Sequence, residues 1–206
     1  MARPNPAAGH SLAASLQPLL RARKAELSVG EMIGRIESGD GPGPILFVLT
    51  IPVLLPLPPG VSMFFALPLL MVAPQILIGR RKLWFPAFLS HRTIKRRELV
   101  KLLHRVLPPL SRFETVARPR LGFLTGPVGA RLVGLACTVI AIVLVLPIPF
   151  ANFLPSVAMT LFAIGLARRD GLMVLAAYGL MIAAGVVIAL AVHGASLGLT
   201  HLRSLI

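Results

Sequence analysis

"IPVLLPLPPGVSMFFAL", Ile51 to Leu67, sets Pro52, Pro56, Pro58, Pro59 and Gly60 inside an otherwise apolar run. A proline has no backbone N–H and its ring clashes with the carbonyl four residues back, so this density of prolines predicts a bend or unwound stretch near residues 56–60. What the break means depends on the surrounding solvent. The chain has 206 residues, 56% hydrophobic and 14% charged, with a mean hydropathy of +0.84; soluble domains run at roughly 45–50% apolar and 25% charged. This composition points to an integral membrane protein. Uncharged apolar runs extend from Pro44 to Ile78, from Leu132 to Ala167 and from Gly171 to Val192. Each reaches the ~20 residues that a helix needs to cross about 30 Å of hydrocarbon.

Hydrocarbon offers no partner to a backbone N–H or C=O, so an unwound segment survives there only when buried in protein or lining a wet cavity. The break divides the first run into two arms, Pro44 to Leu55 and Val61 to Ile78. At about 1.5 Å per residue the shorter arm reaches only ~18 Å, which predicts a re-entrant hairpin rather than a full crossing. The device recurs. Displaced by 97 positions, Ile51–Leu70 aligns without gaps on "IPFANFLPSVAMTLFAIGLA" at Ile148–Ala167, with seven of twenty positions identical, Pro52/Pro149 and Pro58/Pro155 among them. The reading is an internal repeat of two proline-broken helical hairpins in an all-α membrane fold. Paired, interrupted segments in two halves of a membrane protein point to a substrate site near the bilayer midplane.

The candidate substrate-binding residues follow from the breaks and the charges flanking them. Asn152 is the strongly polar side chain at the second break, placed either to meet an anion or ion or only to satisfy unwound backbone. Ser62 and Ser156 follow the two breaks and suit N-caps of the second arms, while Pro58 and Pro155 mark the breaks themselves. Arg131 stands at the entry of a long apolar segment, where it either snorkels to the interface or meets a buried anion. Arg168, Arg169 and Asp170 form a tight charged turn.

The net charge is +14, and its location carries the information. Between Gly79 and Gly122 twelve Lys or Arg stand against Glu98 and Glu114. Such a loop between membrane segments reads as cytoplasmic and lipid-facing, not as a nucleic-acid site. Arg80, Arg81 and Lys82 followed by Trp84 suit the membrane interface. Within the loop, Ile94, Leu99, Leu102, Leu103, Val106 and Leu110 recur at helical spacing opposite Lys95, Lys101 and Arg105. That pattern predicts a helix lying on the inner leaflet or docked on the protein's own core, ended by Pro108 and Pro109.

The domain reading has six parts. Residues 1–27, rich in Ala, Pro and Ser, read as a mobile cytoplasmic tail without a signal peptide's apolar core. Residues 28–192 form one membrane domain: a first repeat at 28–78, the basic loop at 79–122, a second repeat at 123–170 and a last transmembrane helix at 171–192. A short tail at 193–206 follows. Ser28 and Glu31 have the spacing of a capping box and predict a short helix leading into the membrane. On this count the N-terminus and both basic turns lie inside and the C-terminal tail outside, whereas an inverted repeat would need an odd number of crossings between the broken elements.

The succession "LPLPPG", "GRRKLWFP", "ARPRLGFLTGP", "LVLPIPFANFLPS" and "LARRDGL" resembles the ExoD family of bacterial exopolysaccharide-synthesis membrane proteins, from about Ser28 to about Val192. The resemblance implies a multi-pass protein of the bacterial inner membrane, associated with exopolysaccharide production and alkali tolerance. Catalysis is not expected. The seven acidic residues contain no D-x-D, the five histidines show no ligand spacing, and no phosphate-binding G-x-x-x-x-G-K-S/T loop occurs. Neither cofactor nor metal is implied, and the lone Cys137 precludes an intramolecular disulfide. Three functions stay open: transporter-like handling of a lipid-linked anion such as a polyprenyl-phosphate carrier, an ion or proton pathway, and a non-transporting assembly factor for polysaccharide enzymes. The partners implied are membrane lipids, that carrier and exopolysaccharide biosynthesis proteins, with room for a homo-oligomer.

Overall fold

Proline and glycine punctuation sets the helix ends. The computed structural model describes residues 12, 16, 26–28, 30–31, 34, 41–54, 61–80, 83–86, 90, 93–146 and 152–203. In chain order these form β1 (Glu26–Ser28), α1 (Gly43–Leu54), α2 (Val61–Ile78), β2 (Thr93–Lys95), α3 (Arg96–Val116), a 3-10 turn (Gly122–Leu124), α4 (Pro127–Val145), α5 (Phe153–Arg168) and α6 (Gly171–Arg203). Helix α4 starts with Gly126 as N-cap and Pro127 in the first turn, where a missing N–H costs nothing. Helix α2 ends at Gly79, whose φ of 80° admits a C-terminal αL cap. There Gly79 N–H donates to the Ile76 carbonyl (2.9 Å) and Arg80 N–H to the Gln75 carbonyl (3.0 Å).

The two hairpins, α1–α2 and α4–α5, close a ring of four helices. Helix α1 packs on α2 and α5, α2 also on α4, and α4 on α5, while α6 lies outside against α5. Close backbone approach fixes the directions. A Cβ on Gly43, at the start of α1, would lie 2.6 Å from Ala167 N near the end of α5. A Cβ on Gly134, early in α4, would meet the backbone of Ile76 and Leu77 at the end of α2. Facing helices therefore run antiparallel, and both hairpins start and finish at the same end of the ring. Small residues that let backbones approach are how helices gain dispersion contacts in a bilayer, where neighbouring lipid is equally apolar. The core is filled by Leu46, Phe47, Leu69, Val72, Val133, Ile140 and Phe162; Phe162 meets Tyr178 of α6 edge to face at 4.8 Å between ring centres.

Pro127–Val145 and Gly171–Gly194 are long and apolar enough to cross a membrane, whereas α1 and α5 are shorter apolar helices. The arms expected around the first break match α1 and α2 to within one residue at each end. The break itself, residues 55–60, lies outside the described residues, as do 147–151. Exchanging one hairpin for the other interchanges the α1–α5 and α2–α4 interfaces, the pairing that a repeat of the same sense, not an inverted one, would produce. The 97-residue register does not overlay helix boundaries, however: Val61 begins α2, but its counterpart Ala158 lies within α5, which begins at Phe153.

The fold is helical, as expected, with one short antiparallel pair in addition, in which Glu26, Leu27 and Ser28 face Lys95, Ile94 and Thr93. Three expectations require correction. Residues 1–27 are not a free tail throughout, because Leu12 and Leu16 are fully buried with the core and Glu26 and Leu27 are paired. Pro108 and Pro109 do not end the basic-loop helix; α3 continues to Val116. The carbonyls they deprive of donors belong to His104 and Arg105 on its exposed face, where water serves, while Leu103 and Leu110 anchor the helix on both sides of the prolines. Finally, α6 runs to Arg203, past the expected end at 192. The capping bond before the membrane segments is present, with Ser28 Oγ accepting from Glu31 N–H at 3.1 Å. Burial of Leu103 and Leu110 at 1% and 2% exposure places that face of α3 on the protein.

Candidate functional site

Five helix ends converge at one end of the structure: the C-termini of α2 and α5 and the N-termini of α1, α4 and α6. Arginines collect there. Arg80 follows α2, Arg131 lies near the start of α4, and Arg168 and Arg169 close α5. Arg118 and Arg120 precede the 3-10 turn. The Arg131 guanidinium stands so near the end of α2 that a Cβ on Gly79 would come within 3.1 Å of its Nε. A cation at that C-terminus also complements the helix dipole.

Asp170 organises this end. It is 2% exposed, and both carboxylate oxygens accept backbone N–H groups: Oδ1 from Leu172 and Oδ2 from Arg118, each at 2.9 Å. The first bond caps α6; the second ties down the Arg118–Arg120 segment, fastened again where Gly171 N–H donates to the Arg120 carbonyl at 2.8 Å. Arg169, before it, holds φ 53°, the left-handed conformation that ends α5 and lets Asp170 N–H reach the Gly165 carbonyl at 2.9 Å. The carboxylate is thus committed to backbone donors, whereas Arg80, Arg118, Arg120, Arg131 and Arg169 are exposed.

Gln75, a residue that the apolar run concealed, makes a second clasp. It is 8% exposed and its amide engages both backbone groups of Trp84: Nε2 donates to the carbonyl (2.7 Å) and Oε1 accepts from the N–H (2.6 Å). The clasp holds Leu83–Pro86 against the end of α2 and leaves Trp84 60% exposed at the arginine end. A glutamine with no charge to mark it, in a run read for hydrophobicity, offers no sequence signal of this bond.

The second break brings Asn152, Pro155 and Ser156 together, but at the opposite end. Asn152 is the N-cap residue of α5, its carbonyl accepting from Ser156 N–H at 3.1 Å, and its side chain makes no capping bond. Ser156 is therefore not the cap, contrary to expectation. It is fully buried and its hydroxyl donates to the Phe153 carbonyl at 2.8 Å; Pro155, also buried, sits in the first turn. Helix α5, 16 residues long, separates Asn152 from Arg168 and Arg169 by about 24 Å. The expected grouping of these residues into one site is not what the fold produces: there are two stations. Pro58, Arg81, Lys82 and the Ser62 side chain lie outside what is described. Among the described residues no group of three or more His, Cys, Asp or Glu could hold a metal ion.

Comparison with known proteins bears on the whole assembly. The family described as "Exopolysaccharide synthesis, ExoD" matches residues 12–190. The chain belongs to the ExoD family. Protein ExoD of Rhizobium meliloti is 35% identical over 162 residues, covering 75% of this chain and 67% of that one. An uncharacterized protein of Synechocystis is 35% identical over 132 residues, and the aligned part spans 62% of its length. No solved structure matches. The ExoD match starts at Leu12, so it includes the buried Leu12 and Leu16, ahead of the Ser28 start that the motifs implied. Family membership supports a role in exopolysaccharide synthesis, and the two long apolar helices suggest a membrane protein.

Proposed function

We propose that this protein serves exopolysaccharide synthesis as a multi-pass, non-enzymatic protein of the inner membrane, receiving the phosphate of a polyprenyl-linked precursor at its arginine end. The observation that carries the reading is the placement of Arg80, Arg131 and Arg169, all exposed, at the end of the ring where α2 and α5 finish and α4 starts, beside a carboxylate already committed to backbone N–H groups. Guanidinium groups match phosphate oxygens in bidentate fashion and resist desolvation better than ammonium groups. A headgroup held there keeps its polyprenyl tail beside the apolar outer faces of α4 and α6. The Asn152 station, about 24 Å along α5, then serves the lipid-linked unit at the turns of the two re-entrant hairpins, which is the transporter-like part of the proposal. Its support is the common end reached by both hairpins.

The test is binding of a short-chain polyprenyl phosphate to the full chain in nanodiscs, with transbilayer movement of a fluorescent analogue in proteoliposomes. Arg131→Gln and Arg169→Gln should each weaken binding about tenfold, the effect of removing one charge-assisted contact. Asn152→Ala should slow movement while leaving binding intact. Unchanged binding by the folded double arginine variant would overturn the reading. An assembly role has one supporting observation, the exposed row Lys101, His104 and Arg105 on α3. Deleting residues 91–112 should then abolish polysaccharide production with precursor binding intact.

A further inference from the structure

We infer that the segment from Arg118 to Val128 is a rigid wedge that seats this end of the protein in an anionic phospholipid leaflet, with Leu121 and Phe123 inserted among the acyl chains and Arg118 and Arg120 on the phosphates. This does not rest on the precursor-binding reading.

Three observations converge. The first is placement: the wedge runs directly into α4, and Gly171, the first residue of α6, hydrogen-bonds to Arg120. The wedge therefore lies at the starts of the two helices long and apolar enough to cross a membrane, the depth where hydrocarbon gives way to headgroups. The second is composition. Phe123 is 73% and Val128 69% exposed, Leu121 is exposed as well, and the exposed Arg118 and Arg120 stand immediately before them. Apolar tips flanked by arginines complement the outer acyl chains below and the lipid phosphates above.

The third is rigidity. Arg118 N–H is held by Asp170 Oδ2, Leu124 N–H donates to the Leu121 carbonyl at 3.0 Å, and Thr125 N–H donates to the Gly122 carbonyl at 3.3 Å. From below, Gly129 and Gly171 touch the wedge so closely that a Cβ on either would run into Leu124 or Leu121. Leu121 itself holds φ 49°, an uncommon conformation for a leucine. The turn is braced against both helices, and Phe123 is presented outward.

The chain has one tryptophan, so Trp84→Phe gives a silent background for Phe123→Trp. In liposomes of phosphatidylglycerol and brominated phosphatidylcholine, the indole introduced at 123 should be quenched severalfold more by bromines high on the acyl chains than by bromines near their ends, and iodide in the water should barely reach it. Val128→Trp in the same background is the second probe, should Phe123→Trp not fold. Strong iodide quenching with no bromolipid quenching would overturn the inference, as would maximal quenching by the deepest bromines. Arg118→Gln and Arg120→Gln should each lower the preference for phosphatidylglycerol over phosphatidylcholine among co-purifying lipids about fivefold; an unaltered preference in the double variant would remove the arginines from it.

Discussion

Replacing Asp170 with Ala removes both acceptors of a carboxylate that water scarcely reaches, at 2% exposure. The N–H groups of Leu172 and Arg118 lose their partners together. Hydrogen bonds to a charged acceptor contribute about 1.5–3 kcal/mol each, and a buried donor left alone carries its own desolvation cost, so the loss is about 3–5 kcal/mol. At about 2–4 °C per kcal/mol for a chain of this size, the Tm should fall by roughly 10 °C. Asp170→Asn keeps one acceptor oxygen and should lose about half as much. Cys137 supplies the assay: it is the chain's one cysteine and is fully buried, so a thiol-reactive fluorogenic dye reports unfolding of the detergent-solubilised protein on heating. A Tm for Asp170→Ala within about 2 °C of wild type would refute the claim that this carboxylate ties the arginine-bearing segment to α6.

Other expectations test the same fold elsewhere. Gln75→Leu strands the Trp84 N–H and carbonyl, so it should cost about 2 kcal/mol and shift Trp84 emission to longer wavelength with greater iodide quenching; an unmoved spectrum would mean that the clasp does not position the ring. Gly43→Ala and Gly134→Ala each push a methyl into a facing backbone and should lower stability by about 1–3 kcal/mol, read by the same dye. Because they lie in different interfaces, their effects should add. Arg169→Gly relieves a left-handed arginine and should raise stability by about 1 kcal/mol while weakening precursor binding; a lower Tm would show that the side chain contributes more to folding than its backbone strain removes.

What the sequence revealed and concealed divides along physical lines. The two long helices were legible because an uninterrupted apolar run has few alternatives, and the α1–α2 division because prolines forbid a regular helix locally. Proline was over-read at Pro108 and Pro109, where tertiary anchoring by Leu103 and Leu110 carries the helix past a pair of missing donors. The β1–β2 pair left no trace, since "ELS" and "TIK" are too short to show an alternating pattern. The two stations were mistaken for one because a proline break and a charged turn separated by a single helix are neighbours in sequence and helix-length opposites in space. Asp170 was visible as part of a charged turn, but its acceptor role depends on Arg118, 52 residues away.

Both hairpins return to the end they leave, and this bears on how the protein is made. Between Gly79 and Gly122 lie twelve Lys or Arg, each costing about 2.5–3.5 kcal/mol to drag past the middle of a bilayer. In the proposed multi-pass arrangement, the end of α2 and the start of α4 share one side, so none of these charges would have to make that journey as the ribosome delivers the chain. On that proposal each hairpin would leave the translocon sideways as a closed unit, and the stretch beyond the apolar part of α6, carrying Arg203, would be the part delivered to the other compartment.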